Sequence, residues 1–271
     1  MIDSIRIEDL VVLRARPARA TRTAVLFVHG FFADASLFAG WLDVFAERGA
    51  PSYAVNLRGR ADSKPGIDLG RTTIDDFTDD AAIVARQLGV PAVVGHSMGG
   101  LVAQCLAERG LASAAALISP APPAGISLLS PAVALREFSW LPAMLANRLV
   151  HPTGPALRAL VLNHLPPAEQ DAVLRRLVPD SGRAAREMAF GGVPVDARRV
   201  RCPVLVVAAD DDRFIQPRVS RRVAARYAAA LNIRPGHGHM LPIEPGWDAL
   251  AADVLRWIES HTLRGIAAPS K

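Results

Sequence analysis

A chain of 271 residues, 51% apolar and 21% charged, is long enough to bury a large core as one domain, or one domain with an insertion, and its composition excludes a disordered or fibrous chain. The formal net charge of +5 is carried almost wholly by arginines scattered along the sequence, with lysine only at Lys64 and Lys271. No basic block accompanies it, which argues against a nucleic-acid partner.

Residues 4–16 alternate as two short strands, Ile5 and Ile7 and then Leu10 to Leu13, around Glu8 and Asp9, which predicts a hairpin. Residues 24–28 are a short, wholly apolar run, the pattern of a central strand buried on both faces. It ends in His29, Gly30, Phe31 and Phe32, after which Asp34 or Ser36 is placed to cap a helix through Leu37, Trp41, Leu42 and Phe45 to Gly49. Residues 53–57 repeat the strand pattern and lead into a loop at 58–63. Thr73, Ile74, Phe77, Ala81, Val84 and Leu88 then carry a helical period that Gly89 stops.

Residues 92–94 are three apolar residues that run into Gly95, His96, Ser97, Met98 and Gly99, a G-x-S-x-G, and an Ala-rich helix pattern begins at once. That is a strand, a sharp turn and a helix. A serine at the tip of such a turn sits in strained backbone, tolerable only where its neighbours lack side chains, and Gly95 and Gly99 supply that room. Ser97 Oγ is expected to stand clear of the sheet, beside a helix N-terminus and the N–H of Met98.

Residues 114–118 read as another strand, and then the alternation lapses. From Pro120 to about Val195 the chain is Pro-rich and helical by pattern, at 135–150, 156–165 and 167–177. An insertion of this size between core strands is expected to lie as a cap over the active-site edge. Its apolar faces carry Phe138, Trp140, Leu141, Met144, Leu145 and Leu149, some of which should line a cavity beneath. The core resumes at 204–208, followed by Ala209, Asp210, Asp211, Asp212 and Arg213. A helix at 217–229, a last strand at 231–233, the stretch Gly236, His237, Gly238, His239 and a closing helix through Trp247, Leu250, Val254, Leu255 and Trp257 complete the chain. Strands alternating with helices argue for a mostly parallel sheet, whose ligands sit at the carboxyl ends of the strands.

Cys105 and Cys202 are expected to be packed thiols in a reducing compartment. The first twenty residues show no leader pattern and no apolar run reaches the length of a membrane span, so a cytoplasmic protein is expected.

With these motifs in order, the chain resembles the α/β-hydrolase superfamily from near residue 29 to its last helix. Within it, the chain is similar to carboxylesterase-like and haloperoxidase-like serine hydrolases with a helical cap. The marks are His29-Gly30, the G-H-S-M-G-G of residues 95–100, the P-V-L-V-V-A-A-D-D-D-R of 203–213 and the G-H-G-H of 236–239. The resemblance implies the α/β-hydrolase fold: a mostly parallel eight-stranded sheet flanked by helices, a core at 1–120 and 196–271, and a helical cap at 121–195. It implies a triad in the order Ser97 (nucleophile), Asp212 (acid) and His239 (base), with the backbone N–H groups of Phe31 and Met98 as oxyanion hole. Phe32, His96, Trp140 and Met144 are the candidate substrate contacts, and neither metal nor cofactor is implied.

The alternatives differ in strength. The resemblance places the acid third after Ala209, which selects Asp212; Asp211 is then expected to cap the turn through local backbone N–H groups, and Asp210 to be solvated. Some members of the superfamily instead place the acid after the preceding strand, where residues 119–122 here carry no carboxylate. His237 and His239 form an H-x-H that also occurs in metal sites, but no further cluster with ligand spacing accompanies it. The family's closing G-H favours His239 and leaves His237 as a partly exposed loop residue. His96 is expected to pack beside the nucleophile, and His151, His164 and His261 to be polar surface or satisfied cap residues. The loop at 58–63 departs from the family's frequent R-G-H-G-x-S, with Arg60 and Ala61 in the middle, where that loop normally supports the oxyanion region.

The expected activity is hydrolysis of a small or medium-sized hydrophobic carboxylic ester through an acyl-enzyme on Ser97, in a monomer or homodimer. The same triad serves cleavage of a carbon–carbon bond next to a ketone, a lactone or an amide. Haloalkane dehalogenases and epoxide hydrolases usually place Asp where Ser97 stands. A non-catalytic binding module that kept the fold and cavity is the alternative outside enzymes.

Overall fold

The computed structural model describes residues 1–262 apart from 129, 131, 132, 136 and 137. The described strands are β1 (Ile2–Ile7), β2 (Leu10–Ala15), β3 (Val25–Val28), β4 (Ser52–Val55), β5 (Ala92–His96), β6 (Ala114–Ile118), β7 (Leu149–Val150), β8 (Asp180–Ser181), β9 (Val204–Ala209) and β10 (Ala230–Arg234). The described α-helices are α1 (Ala39–Glu47), α2 (Ile74–Gln87), α3 (Met98–Glu108), α4 (Leu141–Leu145), α5 (Gly154–Leu160), α6 (Pro167–Leu174), α7 (Gly182–Ala189), α8 (Pro217–Arg226) and α9 (Trp247–Thr262). Eight strands form one sheet in the order β1-β2-β4-β3-β5-β6-β9-β10. Only the β1–β2 and β2–β4 pairs are antiparallel, so the sheet is mostly parallel, as the sequence pattern and the resemblance predict.

The short apolar runs are buried on both faces because helices cover both. Along β3 and β5, Leu26, Val28 and Val93 pack in one core with residues of α2, α3 and α8. The alternate residues Val25, Phe27, Ala92 and Val94 pack in the other with α1 and α9. This period of two is the pleat of a strand sandwiched between helical layers. Phe27 anchors the second core, its ring 5.0 Å from Phe38 and 5.1 Å from Phe45.

Local signals explain several boundaries. Thr73 and Asp76 form a reciprocal capping box at the start of α2, a device worth about 1 kcal/mol. Asp34 accepts from the Ser36 N–H and opens a 3-10 turn at Ala35–Phe38 before α1. β4 runs from Ser52 to Val55, not from 53 to 57; the Asn56 amide oxygen turns aside to accept the Ala35 N–H at 3.0 Å. Cys105 is buried, whereas Cys202 is only partly so.

Between β6 and β9 the predicted helices hold in part. The expected helix over 135–150 is broken into a 3-10 turn at Phe138–Trp140, the five-residue α4 and the strand β7. α6 stands within the predicted 167–177 region, and α5 overlaps the predicted 156–165 but begins at Gly154 and ends at Leu160. The β7–β8 pair and α7 are elements that the sequence pattern did not single out. Met144 and Trp140 are buried here, while Leu145 and Leu149 are exposed; the Phe138 side chain lies outside the described residues. No helix among the described residues is long and apolar enough to cross a membrane.

Candidate active site

The ends of β3, β5, β9 and β10 converge, and each delivers one part of the site. After β5, Ser97 has φ +54° and ψ −118°, a left-handed backbone that a non-glycine residue adopts only when its surroundings enforce it. The Ser97 N–H donates to Ile118 on β6 at 3.0 Å, and its carbonyl accepts from Gly100 and Ala121. A Cβ built on Gly95 would lie 2.1 Å from the Gly99 carbonyl oxygen, and one on Gly99 would lie 2.1 Å from that of Val28. The two glycines therefore let α3 start almost in contact with β3 and β5, as the motif predicts. Gly95→Ala is expected to lower the melting temperature by roughly 2–10 °C, the range that about 1–3 kcal/mol of overpacking produces in a chain of this size. Scanning calorimetry of the purified variant checks this.

His239 and Asp212 meet across the ends of β10 and β9. The His239 Nδ1–H donates to Asp212 Oδ2 at 2.8 Å, while Asp212 Oδ1 accepts the N–H groups of Phe214 at 3.0 Å and Ile215 at 2.8 Å. Both side chains are almost fully buried. The bond to Nδ1 leaves Nε2 of His239 as the nitrogen able to accept a proton. Ser97 and His239 line the same cavity.

Of the neighbouring carboxylates, Asp211 does not cap the turn as expected. Asp212 does so itself, and Asp211 instead takes the His164 Nε2–H at 2.9 Å, the Asn163 amide at 3.2 Å and Arg213. Hydrogen bonds from Arg213 and then His164 hold its carboxyl below the usual carboxylate range. Asp210 is exposed but not merely solvated, since it accepts the Gly236 N–H at 2.8 Å. His164 is accordingly a satisfied residue, and His237 is a partly exposed one that donates to Glu244 at 3.1 Å.

Glu244 is a residue that the sequence pattern missed. It is 1% exposed, and its two oxygens accept the N–H groups of Gly238 at 2.8 Å and Met240 at 2.9 Å, one on each side of His239. The His239 carbonyl in turn accepts the His96 Nε2–H at 2.9 Å. His96 thus braces the His239 loop as well as lining the cavity. Burial, with His239 nearby, pulls His96 down to about 3, and burial, with Arg60 nearby, pulls His29 down to about 3, so both rings stay neutral near pH 7. His29 ties strand ends together: its Nδ1–H donates to the Gly30 carbonyl and its Nε2 accepts the Leu57 N–H.

Phe31 and Met98 sit on either side of Ser97, one on the turn after β3 and the other at the first position of α3, where backbone N–H groups have no partner within the helix. Two apolar cavities open on Ser97. The first holds about 700 Å³ of empty space, mouth included, and is walled by Phe31, Phe32, Trp140, Leu157, Val161 and Met240. The second, about 410 Å³, is walled by Phe31, Trp140, Met144, Ala185, Met188 and Ile215. All four candidate contacts, Phe32, His96, Trp140 and Met144, border one or both. Among the described residues no cluster of three or more His, Cys, Asp or Glu could hold a metal ion.

Residues 25–253 match the model of the alpha/beta hydrolase family. Among solved structures, a monoacylglycerol lipase of Paleococcus ferrophilus is similar with a TM-score of 0.71 at 21% identity, over 92% of this chain and 99% of that one. A soluble variant of the monoglyceride lipase of Saccharomyces cerevisiae, in complex with a substrate analogue, is similar with a TM-score of 0.76 at 17% identity over 96% of both chains. A thermophilic esterase of Thermogutta terrifontis is similar with a TM-score of 0.67 at 20% identity, over 96% of this chain and 99% of that one. No curated protein matches the chain by sequence.

Proposed function

Because this chain belongs to the alpha/beta hydrolase family and is a hydrolase, we propose that it is a serine esterase acting on small or medium-sized hydrophobic carboxylic esters. The observation that carries this is the buried Asp212–His239 hydrogen bond in the wall of an apolar cavity onto which Ser97 also opens. The lipases and the esterase among the similar structures support the same bond type.

In this reading His239 Nε2 takes the Ser97 proton as Oγ attacks the ester carbon, and Asp212 stabilises the imidazolium and keeps the ring in the correct tautomer. The N–H groups of Phe31 and Met98 receive the oxyanion, with the α3 N-terminus behind them. His239 then protonates the departing alcohol, and water repeats the sequence on the acyl-enzyme. His29 and His96, held neutral, take no proton in this cycle. The paired apolar cavities favour a substrate uncharged on both sides of the ester bond. Residues 121–195 serve as a cap over a core made of 1–120 and 196–271, because Trp140, Met144, Leu157 and Ala185 pack in one cluster with Phe32 of the turn beside Ser97.

The test is turnover of p-nitrophenyl esters with acyl chains of increasing length, with fluorophosphonate labelling mapped by mass spectrometry. Medium-chain esters are expected to be hydrolysed, with activity unchanged by a chelator and label on Ser97. Label on Ser97 with rapid cleavage of a vinylogous diketone but poor ester turnover would move the assignment to a carbon–carbon hydrolase. Absence of both label and turnover in a cooperatively melting protein would leave a binding module.

A further inference from the structure

One fully buried ion pair joins the segment 121–195 to the loop after β4, close to the turn beside Ser97. Arg60 Nη2 donates to Asp180 Oδ2, and both side chains are 0% exposed. Arg60 belongs to the loop after β4, which is anchored independently: Arg58 bonds Asp76 and Asp80, and Lys64 bonds Asp80. Its guanidinium also donates to the carbonyls of Ala33 and Arg58, both at 3.3 Å. Asp180 opens β8, more than a hundred residues away in sequence. Burial holds its carboxyl above the usual carboxylate range, against the opposing pull of Arg60 and of the N–H groups of Phe32 and Ser181.

The other partner of Asp180 Oδ2 is the Phe32 N–H, at 2.9 Å. The Phe32 carbonyl accepts the Val178 N–H at 3.0 Å, so residues 178–180 grip both faces of this one residue. Phe32 has φ +64°, the left-handed region, and the turn closes with the Ala33 N–H on the Gly30 carbonyl at 3.3 Å. A bulky aromatic residue holds such a φ only where the surroundings over-determine it. Released, the turn relaxes toward negative φ at Phe32 by flipping the Phe31–Phe32 peptide, which shifts the Phe31 backbone and with it the Phe31 N–H.

We propose that Arg60 and Asp180 are positioning residues for the oxyanion site: Asp180, brought by the segment 121–195 and oriented by Arg60, clamps the Phe31–Phe32 turn so that the Phe31 N–H faces the tetrahedral intermediate. The proposal rests on the serine-esterase reading. It assigns the segment a part in catalysis beyond covering the cavity, and it explains why an arginine stands at position 60. The clamp acts on the transition state more than on bound ester, because the oxyanion forms only after attack.

The test compares two double variants. Removing one charge leaves the other buried and unpaired, so R60M/D180N and R60M/D180L remove both; they differ in whether position 180 still offers an acceptor to the Phe32 N–H. R60M/D180L is expected to lose about 10²- to 10³-fold in kcat, the scale of one oxyanion donor, with KM within about threefold. Affinity for an alkyl boronic acid, which forms a tetrahedral adduct on serine, should fall in parallel, while affinity for the carboxylic acid product holds. R60M/D180N is expected to lose no more than about tenfold in kcat, because its amide oxygen still accepts, though more weakly than a carboxylate. Equal kcat in the two folded variants, or a loss confined to KM, overturns the clamp. If R60M/D180L does not fold, R60M/D180A, which also removes the acceptor but occupies less space, decides by the same assays: unchanged kcat and boronate affinity overturn the proposal. The parent reading fails separately, through persistence of wild-type turnover in Ser97→Ala.

Discussion

Replacing Ser97 by alanine is expected to lower kcat for a p-nitrophenyl ester by roughly a million-fold, the scale found when a triad nucleophile is removed. On the proposed mechanism the size follows from what disappears: the alcohol that would form the acyl-enzyme, and with it both half-reactions in which His239 and Asp212 would act. The change should leave the fold intact. The serine's structural work is done by its backbone, whose N–H donates to Ile118 and whose carbonyl accepts from Gly100 and Ala121, and alanine keeps all three bonds. The melting temperature should therefore hold within a few degrees while fluorophosphonate labelling is lost. Residual catalysis above the water rate is expected from the oxyanion donors and from binding in the apolar cavities. A variant that kept more than one part in a hundred of the wild-type kcat would remove Ser97 from the chemistry, whatever its place in the turn.

The core was readable because its physics is local. A parallel strand covered on both faces must be apolar throughout, as Val25–Val28 and Ala92–His96 nearly are, and a strained serine needs small neighbours, as Gly95 and Gly99 are. The segment between β6 and β9 follows weaker rules. Its elements are short, Pro142 and Pro155 fall at helix starts, and β7 and β8 have two residues each, too few to show any period. At the site, the His239–Asp212 contact is the one that the family resemblance implied. The work of Glu244 was not readable, because a carboxylate five places after a histidine has no pattern that distinguishes it from solvated charge. The roles of Asp210 and Asp211 were not readable either. Asp211 is turned away from the backbone by Asn163 and His164, which arrive from another part of the chain. Asp180 is the clearest case: its partners Arg60 and Phe32 are distant in sequence, and only the unexpected arginine in the loop after β4 hinted at them.

Asp212→Asn is expected to lower kcat by about 10⁴-fold, the scale on which tautomer loss acts in other triads. The geometry makes the mechanism specific. Asp212 Oδ1 accepts two backbone N–H groups, from Phe214 and Ile215, so an asparagine at this position must turn its one carbonyl oxygen toward them. Its NH₂ group then faces His239 Nδ1 and donates where the carboxylate accepted. The imidazole is forced to carry its proton on Nε2, which can no longer take one from Ser97. The hydrogen bonds that shape the turn survive, so the melting temperature should change little while kcat collapses. Asp211→Asn is the control. Asp211 touches His164, Asn163 and Arg213 and makes no hydrogen bond to His239, and its side chain is 43% exposed. Its kcat should stay within about threefold of wild type, since an amide oxygen still accepts there and surface ion pairs are worth only about 0–1 kcal/mol. An inactive Asp211→Asn beside an active Asp212→Asn would transfer the acid to Asp211. Such an outcome would also require the buried bond between Asp212 and His239 to break when substrate enters.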